Sequence, residues 1–449
     1  MKKNELLTKD INTLIKQIAI PSSIGMFFNT MYNVVDTFYV GMISTMAITA
    51  LSYSFIVFFM ILSISFGLSS AITAHVGNSL GKHKHKLAQI FVTNGLTFIT
   101  IVSTLLCLVG FIFLPEIFSI LGASGEALVL SLEYTNIILI GVIPMLLGLG
   151  ANAALIAKGD TKSYRNTLVV GFFLNLLLNP IFIYGYGIIP AFGFKGVAYA
   201  TILIQFITFI YILYKLYKTD LFNFNIPKMF IPDLRIYKKL LTQALPMSLN
   251  MFMMSLGTML IMYFVSFYGY KTVAAFGIGY RVEQIILLPM LGLNTAVSAI
   301  VANNYGAKNF DRISEVIHKA LKYGYIMSAI GIVFLFFFGR YIIMAFDNDV
   351  EVIETAYIYV MIESVIFFAF ITIFIANSTL QGIKQPFIIP YVSLYRQIIM
   401  PFIFLYIAVV YFDCSVVTAW ILIGIIIYSA AIWIYIYMKR KLKELKIEI

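Results

Sequence analysis

Predominantly apolar stretches of about eighteen residues or more recur along the whole of this 449-residue chain, and no other feature constrains its fold as tightly. Each stretch can cross roughly 30 Å of hydrocarbon as an α-helix. Inside a bilayer every backbone N–H and C=O must be satisfied within the protein, so a spanning segment is a helix or belongs to a closed β-barrel. Barrel strands alternate apolar and polar residues, and stretches such as Thr97–Phe113 do not alternate. The pattern predicts an all-α integral membrane protein with twelve spans, from 15–40 at the start to 416–438 at the end. The polar segment Met1–Gln17 runs into the first span without a small-residue cleavage site, so it reads as the beginning of that helix.

Charge fixes the expected orientation. Only 11% of residues are charged, against about 25% in a soluble domain. The net charge of +11 comes from Lys and Arg in short connecting segments. Nucleic acid as a partner is excluded by that dispersion, since a nucleic-acid binder gathers its basic residues on one patch. Nearly all of the 31 Lys and Arg fall on one face: the N-terminal tail, the loops at Lys82–Lys86 and Lys158–Arg165, the central segment with Lys215, Lys228 and Lys239, the loop at Lys308–Lys322, Lys384 and the C-terminal tail. Short basic loops stay cytoplasmic. The expected setting is therefore multi-pass in a cell membrane, with both termini cytoplasmic and acids such as Glu116, Glu126, Asp347 and Asp413 outside.

An internal repeat organises the spans. At an offset of 225 residues Pro21 falls on Pro246, Met26–Phe27 on Met251–Phe252 and Ala50 on Ala275. The run Gly67-Leu68-x-x-Ala71-x-x-Ala74-x-Val76-x-Asn78-x-x-Gly81 falls on Gly292-Leu293-x-x-Ala296-x-x-Ala299-x-Val301-x-Asn303-x-x-Gly306. Two Gly pairs and an Asn pair go beyond shared hydrophobicity. The expected organisation is an N-terminal six-helix lobe at 1–216, a linker at 217–237 containing Pro227 and Pro232, and a C-terminal six-helix lobe at 238–449. Six spans per half give both halves the same orientation, related by an axis along the membrane normal. That is the parallel-repeat architecture of solute carriers that work by alternating access.

Ionisable residues inside spans cost several kcal/mol unless paired or hydrated, so each is a functional candidate. They are Asp36, Arg281, Glu283, Glu363 and Arg396. Asn29, Asn33 and Asp36 follow i, i+4, i+7 spacing, which predicts one shared helix face. Counted from the outer ends of their spans, Asp36, Asn179 and Thr201 lie at a common depth of about 8–9 Å, with Asn175 one turn from Asn179. One carboxylate with amide and hydroxyl oxygens could bind H⁺ or Na⁺, and Pro180 could free a backbone carbonyl to help. In the second half, Glu283, Glu363 and Arg396 fall near the midplane, with Gln397 beside them. Arg396 is expected to neutralise one acid and leave the other to attract a cationic substrate. Neither the four His nor Cys107 and Cys414 have the spacing of a metal site, a disulfide framework or an enzyme centre.

These residues resemble the multidrug and toxic compound extrusion (MATE) transporters of the multidrug/oligosaccharidyl-lipid/polysaccharide flippase superfamily. The resemblance is carried by Pro21, Tyr32-Asn33-x-x-Asp36-x-x-x-x-Gly41, Asn175-x-x-x-Asn179-Pro180, Gly196-Val197-Ala198-x-Ala200-Thr201, Asn303-x-Tyr305-Gly306-Ala307 and Arg396-Gln397-x-x-x-Pro401, and it covers all the spans. It implies a V-shaped pair of six-helix lobes, no cofactor beyond the coupling ion, and export of small organic cations and drugs against H⁺ or Na⁺. In the DinF-like branch the first-span acid and the fifth-span polar pair form the cation site, here Asp36, Asn175 and Asn179 with Thr201 nearby. Many DinF-like members carry Asp before the proline where this chain has Asn179, so the site has one carboxylate fewer. The NorM-like branch uses acids in the second lobe, to which Glu283 and Glu363 are loose counterparts. A monomer working in the lipid bilayer is expected. The alternative, a lipid-linked oligosaccharide flippase of the same superfamily, needs a strongly cationic cavity for pyrophosphate, whereas two Arg and three acids lie in the spans here.

Overall fold

A computed structural model describes residues 4–222 and 231–447. Lys2, Lys3, Pro227 and Lys228, which entered the charge and linker readings, lie outside the described residues. The chain forms a short helix α1 (Glu5–Thr8), then α2 (Ile11–Ile43), α3 (Thr45–Gly81), α4 (His85–Ile120), α5 (Gly125–Ala157), α6 (Lys162–Tyr184) and α7 (Phe194–Tyr217). After the central segment come α8 (Leu234–Val265), α9 (Tyr270–Ala307), α10 (Phe310–Met344) and α11 (Val350–Gly382). The next span, Pro386–Tyr411, holds α12 (Ile389–Leu394) and α13 (Met400–Leu405), each followed by a π-helical stretch, Tyr395–Ile399 and Tyr406–Tyr411. The last helix is α14 (Val416–Glu444).

Eleven helical stretches among the described residues are long and apolar enough to cross a membrane. The long helix outside that set is α2, with 33 residues. Asn29, Thr30, Asn33, Asp36 and Thr37 lower its apolarity. Of the twelve expected spans, then, eleven stand on length and composition and the first on length alone. It is also the helix that carries Asp36.

The helices form two compact units, Ile24–Leu245 (the N-unit) and Met1–Ser23 with Pro246–Ile449 (the C-unit). This division differs from lobes bounded at 216 and 238. The cuts fall next to the repeated prolines Pro21 and Pro246, inside α2 and α8, because the first third of each helix packs with the opposite repeat. In the C-unit, Leu6, Leu7, Ile11, Leu14, Ile15 and Ile18 are buried. Asn4 donates to Asn303 Oδ1 at 2.9 Å, Asn304 donates to the Leu6 carbonyl at 3.1 Å, and Arg312 donates to the Lys9 carbonyl at 2.6 Å. A Cβ on Gly292 would sit 2.4 Å from the Ala19 carbonyl oxygen, so this repeat glycine gives α2 its seat on α9. In the N-unit the start of α8 is held the same way. Asn94 accepts from the Asp233 N–H at 3.0 Å, the Tyr237 and Thr97 hydroxyls are 2.9 Å apart, and Ile236, Leu240 and Ala244 are buried.

Lipid supplies little hydrophobic drive between helices, so their association rests on close packing and polar contacts. Gly95 meets Ile72, Gly141 meets Ile202 and Gly324 meets Ile371 where an added Cβ would come within 3 Å. At one end of the C-unit, Lys271 on α9 pairs with Asp349 at 2.9 Å and Glu351 at 2.8 Å, joining the starts of α9 and α11. Hydrogen bonding from the Lys271 ammonium holds the Asp349 carboxyl below its usual range, helped by the Glu351 and Val352 N–H groups. A carboxyl depressed in the folded state contributes stability above its unfolded pKa and loses it as pH falls through the folded value. The thermal midpoints of wild type and Asp349→Asn in detergent are therefore expected to differ at pH 7 and to converge below about pH 4. A difference that persists into acid would sink this reading.

Candidate functional site

On α2 the residues Gly25, Phe28, Tyr32, Asp36 and Tyr39 recur at three- and four-residue spacing and form one ridge. The ridge lies along α6. A Cβ on Gly25 would meet Leu168 at 3.1 Å, the Phe28 and Phe172 rings are 5.4 Å apart, and the Tyr39 hydroxyl donates to the Leu176 carbonyl at 3.2 Å. Leu176 is four residues before Pro180, so its carbonyl is the one that the proline's missing N–H leaves free. Tyr39 takes that carbonyl and uses it to dock α2 on α6, in place of the cation-binding role expected from the sequence.

Asp36 is 5% exposed, and Asn175 and Asn179 are fully buried. Asn175 Nδ2 donates to Asp36 Oδ1 at 2.7 Å and Asn179 Nδ2 donates to the same oxygen at 2.9 Å. Asn179 Nδ2 also lies 3.3 Å from Asn175 Oδ1. Asn179 Oδ1 has no hydrogen-bond partner among the described residues. Thr201 on α7 accepts from the Tyr32 hydroxyl at 3.2 Å and lies within electrostatic reach of Asp36. The structure thus brings Asp36, Asn175, Asn179 and Thr201 together inside the N-unit. Tyr32 and Tyr134 complete the wall, Tyr134 stacking on Phe194 with ring centroids 5.1 Å apart. Neither tyrosine was a sequence candidate, although Tyr32 stands on the Asp36 ridge at i−4, a spacing that could have found it. Asn29 and Asn33 do not join the cluster. Both are exposed, and Asn33 Nδ2 donates to the Asn29 carbonyl at 3.2 Å. Each follows a ridge residue by one position, about 100° round the helix.

The C-unit holds a second set. Glu283 on α9 accepts from the Tyr359 hydroxyl at 2.8 Å, and Glu363 on α11 lies within electrostatic reach of Glu283. Both acids are buried, and Glu363 Oε2 has no partner among the described residues. Tyr359 meets Trp420 and Phe276 edge to face, at 5.2 Å and 5.3 Å. Gly279 leaves it room: a Cβ there would lie 2.3 Å from the Tyr359 ring. The expected pairing of Arg396 with one of these acids is not formed. No carboxylate among the described residues comes within 4 Å of its guanidinium. Its partner is Gln397, whose side-chain oxygen, with the amide oriented toward its donors, accepts from Nη1 at 2.9 Å and Nη2 at 3.2 Å. A π-helical turn places the two residues so. Arg281 and Gln284 are exposed. His75, which has no metal-ligand spacing in the sequence, stacks on Phe91 at 4.5 Å with Nε2 3.3 Å from the Lys239 carbonyl.

Known proteins share sequence and fold with this chain. The chain is 28% identical over 319 residues to the probable multidrug resistance protein YoeA of Bacillus subtilis, covering 70% of this chain and 69% of that one. It is 27% identical over 366 residues to the FAD transporter of Shewanella oneidensis, covering 80% of each. Among solved structures, a MOP superfamily transporter from Pyrococcus furiosus superposes with a TM-score of 0.92 at 25% identity, over 99% of both chains. The family profile matches twice, at 21–181 and 246–407, so each match begins on one of the repeated prolines. With most of its length inside those two matches, the chain belongs to the MatE family.

Proposed function

We propose that the chain is a secondary active exporter of organic compounds, coupled to inward movement of H⁺ or Na⁺ and working by alternating access in a cell membrane. The observation that carries this reading is the Asp36 cluster. A carboxylate buried in a helix bundle accepts two amide N–H bonds on one oxygen, and beside it the Asn179 side-chain oxygen Oδ1 has no partner among the described residues. Isolated charge is costly to keep in so dry a place. A site of this kind is suited to taking up and releasing one small cation. The proposed orientation has both termini cytoplasmic, following the basic short loops. The description of relatives as multidrug resistance proteins supports organic cargo, and the aromatic walls around Glu283 and Glu363 offer π faces to a lipophilic cation.

The test is dye efflux from proteoliposomes under an imposed pH gradient or an imposed Na⁺ gradient, each against vesicles without a gradient. One gradient is expected to drive efflux, which also identifies the ion. If neither raises efflux above the gradient-free level, ion coupling is wrong.

A further inference from the structure

We infer that Arg396 and Gln397 form an anion clamp, a site for the phosphate or carboxylate group of a cargo that also carries an aromatic or cationic part. The inference rests on the reading of the chain as an exporter of organic compounds and narrows the kind of compound. Arg396 is only 3% exposed and lies in the span Pro386–Tyr411. A buried guanidinium ordinarily faces a carboxylate, because an uncompensated charge in such a place costs several kcal/mol. Here no carboxylate among the described residues lies within 4 Å, Glu283 and Glu363 included. Glu283 takes the Tyr359 hydroxyl, and Glu363 neighbours Glu283.

The donor count leads to the same conclusion. A guanidinium has five N–H donors in a planar fork. Gln397 accepts one from Nη1 and one from Nη2, while Nε has no partner among the described residues. Gln397 fixes the plane of the fork and leaves an unused donor edge, the edge that phosphate and carboxylate oxygens engage two at a time. The surrounding backbone is shaped for this pair. Tyr395–Ile399 is π-helical, a geometry concentrated at functional sites. Gly257 on α8 leaves room for Gln397, since a Cβ there would lie 2.5 Å from its amide. Because the guanidinium is already out of water, an arriving anion meets a donor set that needs no further desolvation. The acids Glu283 and Glu363 with Tyr359 and Trp420 form a separate centre in the same unit, so a cargo with opposite charges or an aromatic ring could use both.

Flavin mononucleotide and riboflavin make a matched probe pair, sharing one aromatic ring system and differing in the phosphate. Binding of each would be measured by fluorescence titration of the purified full-length protein in phosphatidylcholine nanodiscs, with and without phosphatidylglycerol. Charge-assisted bonds to the phosphate predict that wild type binds the mononucleotide at least about tenfold more tightly. Arg396→Gln should abolish that preference, and Arg396→Lys, which keeps the charge and loses the fork, should retain part of it. The lysine variant also answers should the glutamine variant fail to fold. Equal binding of the two flavins by wild type, undetectable binding included, overturns the inference, as does a preference that survives Arg396→Gln. Loss of the preference when phosphatidylglycerol is present overturns it as well, assigning the clamp to a lipid headgroup. None of these readouts needs an ion gradient, so they stand or fall apart from the coupling experiment.

Discussion

Asp36→Asn is expected to reduce gradient-driven efflux to the level of gradient-free vesicles while leaving the protein folded. The two consequences have separate causes. Asn175 and Asn179 both donate to Asp36 Oδ1, at 2.7 Å and 2.9 Å. The side-chain oxygen of an asparagine can accept the same two bonds, so the contacts joining α2 to α6 survive. What disappears is the ionisable oxygen, and with it any means of holding H⁺ or the charge of Na⁺. Removing a buried charge relieves a desolvation cost, so the thermal midpoint in detergent should stay level or rise. Asp36→Leu provides the contrast. It leaves two buried amides without their acceptor, at about 1–3 kcal/mol for each unsatisfied group, and should lower the midpoint clearly. Full gradient-driven efflux by Asp36→Asn would remove Asp36 from the mechanism.

The departure at position 179 gives this experiment its force. With asparagine before Pro180, no second carboxylate stands in the cluster among the described residues to take over. Asn179 instead contributes a donor to Asp36 and an unpartnered acceptor beside it. If the proposed ion coupling runs through this cluster, it depends on a single acid.

Much of this was readable from local pattern. Apolar runs mark spans because hydrocarbon thickness sets their length, and the repeat showed itself through Pro21/Pro246 and the glycine pairs. Asp36, Asn175, Asn179 and Thr201 could be grouped because the common depth of residues in different helices follows from the rise per residue. Which residues of α2 face α6 could not be read this way. Asn29 and Asn33 share polarity with Asp36, but the packed ridge runs through Asp36 and Tyr39, and only the partner helix, some 140 residues along the chain, selects between the two stripes. The partner of Arg396 was hidden for a similar reason. Sequence order gives depth but not azimuth, and a π-helical turn changes azimuth locally. The edges of the compact units were equally unreadable, since the linker composition pointed to 217–237 while the packing of α2 and α8 places the cuts at Ser23 and Leu245.

Gly196→Ala is expected to damage the same cluster from outside it. Gly196 lies in the first turn of α7, against the end of α6. A Cβ there would stand 2.5 Å from the Phe182 carbonyl oxygen, 2.6 Å from its carbon and 2.8 Å from the Ile183 nitrogen. All three are backbone atoms, so no side chain can swing aside. That backbone is also tied down, because Phe182 O accepts from the Phe192 N–H at 2.9 Å and Ile183 O accepts from the Gly193 N–H at 3.1 Å. Relief must come from moving α7 bodily away from α6. Overpacking of this kind costs about 1–3 kcal/mol and more when nothing can relax. Asn179 lies one turn before Phe182 and Thr201 five residues after Gly196, so the displacement should break the 3.2 Å contact of Thr201 with Tyr32 and loosen the wall around Asp36. The expected result is a thermal midpoint several degrees lower and weaker gradient-driven efflux even below that midpoint. Gly277→Ala on α9 is the control, because nothing lies within 4 Å of its added Cβ. In a helix interior that change favours the fold by up to about 1 kcal/mol. If the two variants are equally stable and equally active, the close approach at Gly196 does not set the register of α7 against the Asp36 cluster.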